Sequence, residues 1–238
     1  MTAGVPVLCF PPAGAGPSFF QAWPDASSAL RFAAVELPGK ERRFAEPPVA
    51  TMAELLDAVA EDVLREVGDA GRAGVFGHSF GALVAYEVAR LVARERPGVE
   101  LTLFASGAPR PGVPRSAPIG DLPDDEFVVA VGDLAGYQHP ALADPDLRDL
   151  LLPALRGDVA VDETYRPAHP DPAVFPIVSV RGADDELVSS AATARWAEVT
   201  SAGCVTHEIP GGHMYLVERW QPLVALMERA LAGEGARS

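Results

Sequence analysis

Short unbroken apolar runs alternate along this chain with longer stretches in which apolar residues recur every three or four positions. The runs VPVLCF (5–10), RFAAVEL (31–37), GVFGH (74–78), ELTLFAS (100–106), FPIVSVRG (175–182) and CVTHEIPG (204–211) are dense in apolar and β-branched residues. That is the composition of strands covered on both faces. The clearest periodic stretch is 51–68, where Met52, Leu55, Leu56, Val59, Val63, Leu64 and Val67 fall at helical spacing. Thr51 with Glu54 three residues on forms a capping box at its start, and Gly68 marks its end. Residues 80–94, 191–199 and 220–232 predict further helices. Strand–helix alternation of this kind implies an α/β fold with a mostly parallel central sheet and helices on both faces.

The rhythm breaks from about Pro109 to Pro172. Strands vanish there and prolines multiply around two helical pieces, DDEFVVAVGDLAG and PDLRDLLLPALRGD. Helices and Pro-rich connectors inserted into an α/β sheet have the makeup of a lid over a site. The expectation is a single domain over residues 1–238 with a helical lid insertion at about 112–172.

One junction carries chemistry. Residues 77–81 read G-H-S-F-G, the pattern G-x-S-x-G, between a strand-like run and a helical one. A strand that ends directly in a helix forces the residue at the bend into a strained conformation. Side chains two positions before and after would collide, so glycine is needed at 77 and 81. The bend lifts the Ser79 hydroxyl above the sheet, at a helix N-terminus where negative charge is favoured.

A serine hydroxyl needs a base, and the base needs a carboxylate to orient it. Of the five histidines, His78 points away from Ser79 within the elbow and is expected to pack. His139 and His169 fall among the prolines of the insertion, and His207 lies within a strand run. His213 stands in EIPGGHMYL, on a loop after the last strand, where α/β folds place their chemistry. Asp185 follows the strand before it, in RGADDELV, with Asp184 as the competing acid. The order Ser79, Asp185, His213 is that of the α/β-hydrolase fold. Two backbone donors must face the oxyanion. The amide of Phe80 comes with the elbow, and Ala13, in the small-residue loop PPAGAG after the first strand, is the expected second. That loop lacks the following Lys-Ser/Thr of a phosphate cradle, so it does not point to a nucleotide.

Charge narrows the partners. A net charge of −14 argues against nucleic acid and against an acidic membrane surface. The start MTAGVPVLCFPP shows neither a basic region nor a long apolar segment, so no signal peptide is expected. No run approaches the roughly 20 apolar residues of a membrane span. Cys9 and Cys204 give no disulfide framework, and Cys9 reads as a small buried hydrophobe. A cytoplasmic location and a monomer are expected, with no metal or cofactor, since no Cys/His cluster has ligand spacing.

The segments LCFPPAGAG, VELPGKERR, GHSFGALVAYEVAR, FASGAPRP, LPALRGDVAVDETY and PGGHMYL together resemble the type II thioesterases of polyketide and nonribosomal peptide pathways, in order over roughly residues 5–228. The resemblance implies a serine thioesterase that removes acyl groups from the phosphopantetheine arm of acyl or peptidyl carrier domains, its partners. Three positions depart from the family pattern: Pro12, Ala15 and Glu186. The first two bear on the acyl pocket and oxyanion loop, and the third keeps Asp184 as a competitor to the expected Asp185. A small-molecule esterase, an acyltransferase or a cyclase of the same fold would share the same triad. Because carriers are acidic like this chain, recognition must be local. Lys40, Arg42, Arg43, Arg110 and Arg115 are expected on the rim, to meet the carrier or its phosphate, unless they are ordinary solvated charges. The RGD at 156–158 reads as coincidence within a lid helix.

Overall fold

Six strands form the sheet: β1 (Val5–Phe10), β2 (Leu30–Ala34), β3 (Arg72–His78), β4 (Glu100–Ser106), β5 (Ile177–Gly182) and β6 (Cys204–Ile209). They lie in the order β2-β1-β3-β4-β5-β6, and every pairing between them is parallel. The structure is a computed structural model describing residues 4–113, 118–135 and 142–233, so His139 and Arg115 lie outside the described residues. Among the described residues, five α-helices lie between strands and a sixth follows the last: α1 (Met52–Val67), α2 (Phe80–Glu95), α3 (Asp124–Ala135), α4 (Pro145–Thr164), α5 (Ser190–Ala194) and α6 (Gln221–Leu231).

The period-two alternation of each strand divides the core into two layers. Leu8 and Phe10 of β1 join Val75, Leu103 and Ile177 in a layer with α1 and α2. Val7 and Cys9 point the other way, to Phe76, Phe104, Trp23 and the α6 residues Leu223, Val224 and Met227. Cys9 is fully buried, which drives its thiol pKa far up. Helix α1 carries the capping box, Thr51 accepting from the Glu54 N–H while the Glu54 carboxylate accepts from the Thr51 N–H. Its buried residues Met52, Leu55, Val59, Val63 and Val67 follow the expected stripe.

Three expectations change. The strand β6, at the sheet's edge, is not covered on both faces: of its residues only Ile209 is buried. The helix expected at 191–199 is a short α5 that tightens into a 3₁₀ turn over 195–199. That turn seats Trp196, whose indole N–H donates to the Ala108 carbonyl at 2.9 Å. Helix α4 runs past Asp158 to Thr164, because Val159 and Val161 continue its buried side. Between β4 and β5, α3 and α4 build a third apolar cluster around Phe127, Leu152 and Leu155.

Candidate active site

The strand order reverses at β1, with β2 on one side and β3 on the other. In open α/β sheets such a switch point, at the carboxyl ends of the strands, leaves a crevice. Ser79 follows β3 directly and begins α2 at φ 54°, ψ −120°, a conformation L-residues avoid. The bend closes tightly: a Cβ at Gly77 would lie 1.9 Å from the Gly81 carbonyl oxygen, and one at Gly81 2.3 Å from that of Phe10. The Ser79 N–H is held by the Ser106 carbonyl at 2.7 Å. Its side chain makes no capping bond to α2 and instead lines a cavity together with Ala13, Phe80 and His213. Phe80 is the first residue of α2, so its N–H has no acceptor within the helix.

The loops after β5 and β6 leave adjacent parallel strands and are tied to each other, the Asp184 N–H donating to the Gly211 carbonyl at 2.9 Å. This brings Asp185 to His213, with His213 Nδ1 2.9 Å from Asp185 Oδ2. Asp184 points to solvent. The other carboxylate oxygen, Oδ1, accepts the Leu187 and Val188 N–H groups at 2.9 and 3.0 Å. Burial alone would raise the Asp185 pKa; the His213 bond and the two backbone donors outweigh it and hold the carboxyl below its usual range. Buried Arg181 fixes the same loop by donating to the carbonyls of Asp185 and Val188 at 2.8 and 2.7 Å.

His78 is fully buried, its ring centroid 5.1 Å from that of His213. Its Nδ1 lies 2.9 Å from Ser106 Oγ, which is 2.8 Å from the Tyr215 hydroxyl. Burial, and then the neighbouring His213, push the His78 pKa well below the ordinary histidine value, so the ring is neutral. Sequence reasoning missed Ser106 and Tyr215. The first was within reach, because β3–β4 register sets Ser106 opposite His78. His169 is exposed and His207 sits partly exposed on β6; neither lines the cavity.

Pro12, Ile119, Val131, Val159 and Met214 give the cavity apolar walls, several of them from the insertion between β4 and β5. Lys40 corrects an expectation. It is not on the rim but buried, its ammonium 2.5 Å from Asp158 Oδ2. Burial takes the ammonium out of water, and a carboxylate is the partner that makes this tolerable. Arg43 is engaged with Glu46 and the Ala58 carbonyl, and Arg110 with Glu198; Arg42 stays exposed beside Glu36. The RGD is structural: Arg156 binds the Gly120 and Leu122 carbonyls and lies over the Phe127 ring. Among the described residues no group of three His, Cys, Asp or Glu side chains could hold a metal ion.

Residues 5–231 match the thioesterase domain family. The chain is 31% identical to the thioesterase PikA5 of Streptomyces venezuelae, over 93% of this chain and 79% of that one. It is 29% identical to the gramicidin S biosynthesis protein GrsT of Aneurinibacillus migulanus, over 94% and 88%. The solved structure of the type II thioesterase BorB from the borrelidin biosynthetic cluster superposes with a TM-score of 0.85 at 29% identity, covering 97% of this chain and 94% of that one. The chain belongs to the thioesterase family and is a type II thioesterase with the α/β-hydrolase fold.

Proposed function

We propose that Ser79, His213 and Asp185 are the nucleophile, base and orienting acid of thioester hydrolysis on carrier domains, with the Ala13 and Phe80 amides as the oxyanion hole. Asp185 holds His213 with Nδ1 protonated, so that Nε2 is the basic nitrogen. Nε2 takes the Ser79 proton as Oγ attacks the thioester carbonyl. The carbonyl oxygen becomes an oxyanion facing two backbone N–H donors. The tetrahedral intermediate collapses, expelling the phosphopantetheine thiolate, which takes its proton from the imidazolium. Water, deprotonated by the same ring, then releases the acid and restores Ser79.

The observation that carries this reading is the 2.9 Å His213–Asp185 bond beside the same cavity as a serine held at positive φ. The apolar walls suit the acyl chain. The insertion at about 112–172 is read as a lid over that chain, on a single domain. The reading needs no cofactor, since the phosphopantetheine arrives on the acyl or peptidyl carrier. We take the enzyme to act as a cytoplasmic monomer.

The test is intact mass of a panel of acyl-loaded carrier domains before and after exposure to enzyme, with Ser79→Ala as control. Loss of acyl mass that depends on Ser79 is expected. Faster turnover of free oxoesters than of carrier thioesters would transfer the reading to a small-molecule esterase.

A further inference from the structure

Asp158 does more than pair with Lys40: three separated segments meet on one of its oxygens. Oδ2 accepts from the Gly14 N–H at 2.7 Å and from the Lys40 ammonium at 2.5 Å. The Asp158 and Lys40 side chains are only 7% and 3% exposed. Gly14 lies in the loop after β1, Lys40 in the loop after β2, and Asp158 on α4. The ammonium also sits 5.8 Å from the centroid of the Phe80 ring.

The loop after β1 makes a tight turn, the Ala15 N–H donating to the Pro12 carbonyl at 3.1 Å. Gly14 is the third residue of that turn at φ +78°, and Ala13 is not at positive φ. This is the geometry of a type II turn, whose central peptide is flipped relative to type I. The central peptide joins Ala13 to Gly14, and its N–H is the one Asp158 accepts. A flip of that peptide would turn the Ala13 carbonyl oxygen toward a carboxylate, which repels it. Helix α4 also closes the space around the turn, since a Cβ at Gly14 would lie 2.9 Å from Leu155 Cδ1.

We propose that Asp158, with Lys40 as its counter-ion, is a positioning residue: by holding the Gly14 N–H it anchors the Pro12–Ala15 turn, and with it the adjoining Pro12–Ala13 peptide, whose N–H is thereby aimed at the reacting carbonyl oxygen. It follows that the oxyanion hole is complete only while α4 is seated on the loop, which couples the insertion to the chemistry. The inference rests on the hydrolytic reading above.

Removing Asp158 alone would strand a buried ammonium and confound function with folding. Two paired variants avoid this. Lys40→Met with Asp158→Asn removes both charges and keeps an oxygen acceptor, whereas Lys40→Met with Asp158→Leu removes the acceptor at similar volume. Each is assayed on an acyl carrier, and with a trifluoromethyl ketone whose Ser79 adduct places an oxyanion in the hole. Losing one such donor outright costs about 10²- to 10³-fold, so a misaimed one should cost about 10- to 100-fold. The leucine pair is expected to fall below the asparagine pair by that factor in kcat/KM, with little change in KM. The inhibition constant should rise by the same factor. With urea unfolding showing both pairs fully folded under assay conditions, an inhibition constant reports the hole itself, so equal inhibition constants in the two pairs overturn the proposal, whatever happens to rate. If the leucine pair does not fold, Asp158→Glu, which moves the carboxylate by one methylene, is read in the same way. At least tenfold in both quantities is expected, and an unchanged inhibition constant overturns the proposal. Absence of Ser79-dependent turnover in the wild-type enzyme would instead count against the hydrolytic reading.

Discussion

Replacing Asp185 by asparagine changes one oxygen to an amide nitrogen, and the structure decides which one. Oδ1 receives two backbone N–H groups, from Leu187 and Val188, at 2.9 and 3.0 Å. An NH₂ cannot take that place, so the asparagine oxygen must stay there and the NH₂ must face His213 Nδ1, 2.9 Å away. To accept from it, Nδ1 must give up its proton, which moves to Nε2. A ring protonated at Nε2 cannot take the Ser79 proton. Wrong-tautomer replacements of this kind lower kcat by about 10⁴, or about 5.5 kcal/mol of barrier. The two loop bonds survive, so the fold should lose no more than about 1–2 kcal/mol. The assay is single-turnover deacylation of a carrier followed by intact mass, with denaturant unfolding alongside. Asp184→Asn, at the exposed neighbouring acid, should leave the rate within about threefold. The reasoning is refuted if Asp185→Asn keeps more than a tenth of the wild-type rate, or if Asp184→Asn falls as far.

Two further outcomes concern stability. Ser79 holds a positive φ, a strain of order 1–3 kcal/mol, which glycine tolerates and alanine does not. Ser79→Gly should therefore be more stable than Ser79→Ala by about 1 kcal/mol in urea unfolding, both being inactive; equal midpoints would show that the bend is unstrained. Burial keeps His78 neutral in the folded protein, while the unfolded chain takes up a proton near the ordinary value of about 6.5. Its contribution is complete above that pH and is lost as pH falls toward the lowered folded value, by up to about 1.4 kcal/mol per unit. His207 is shifted the same way but is partly exposed, and Asp185, held low, adds its loss only below about pH 4. His78→Phe should flatten the slope between pH 6.5 and 5.5 by about 1 kcal/mol per unit; an unchanged slope contradicts a neutral His78.

What was legible in the sequence is what short-range sterics and periodicity encode. The elbow is local, since Gly77 and Gly81 are needed wherever a strand turns straight into a helix, and the backbone contacts at those positions are of that kind. The α1 stripe and its capping box are local too. Asp185 was expected ahead of Asp184, but what separates two acids on one loop, the turn closed by the Asp185 N–H on the Gly182 carbonyl that sends one inward, is not local composition. Lys40 was misplaced for a similar reason. A lysine among arginines reads as surface charge, and its buried partner lies 118 residues away on another element. Nothing in the string PGKERR announces that carboxylate. The exposure of β6 was hidden because a run containing Val205, Thr206 and Ile209 does not reveal which strand ends the sheet.

The central claim is that a carrier-borne acyl group passes through Ser79. Rapid quenching of enzyme with acyl carrier, proteolysis and peptide mass measurement test it most directly. The account expects an acyl increment on the peptide containing Ser79 before free acid accumulates, and none in Ser79→Ala. An increment on any other residue, or wild-type deacylation by Ser79→Ala, would contradict it.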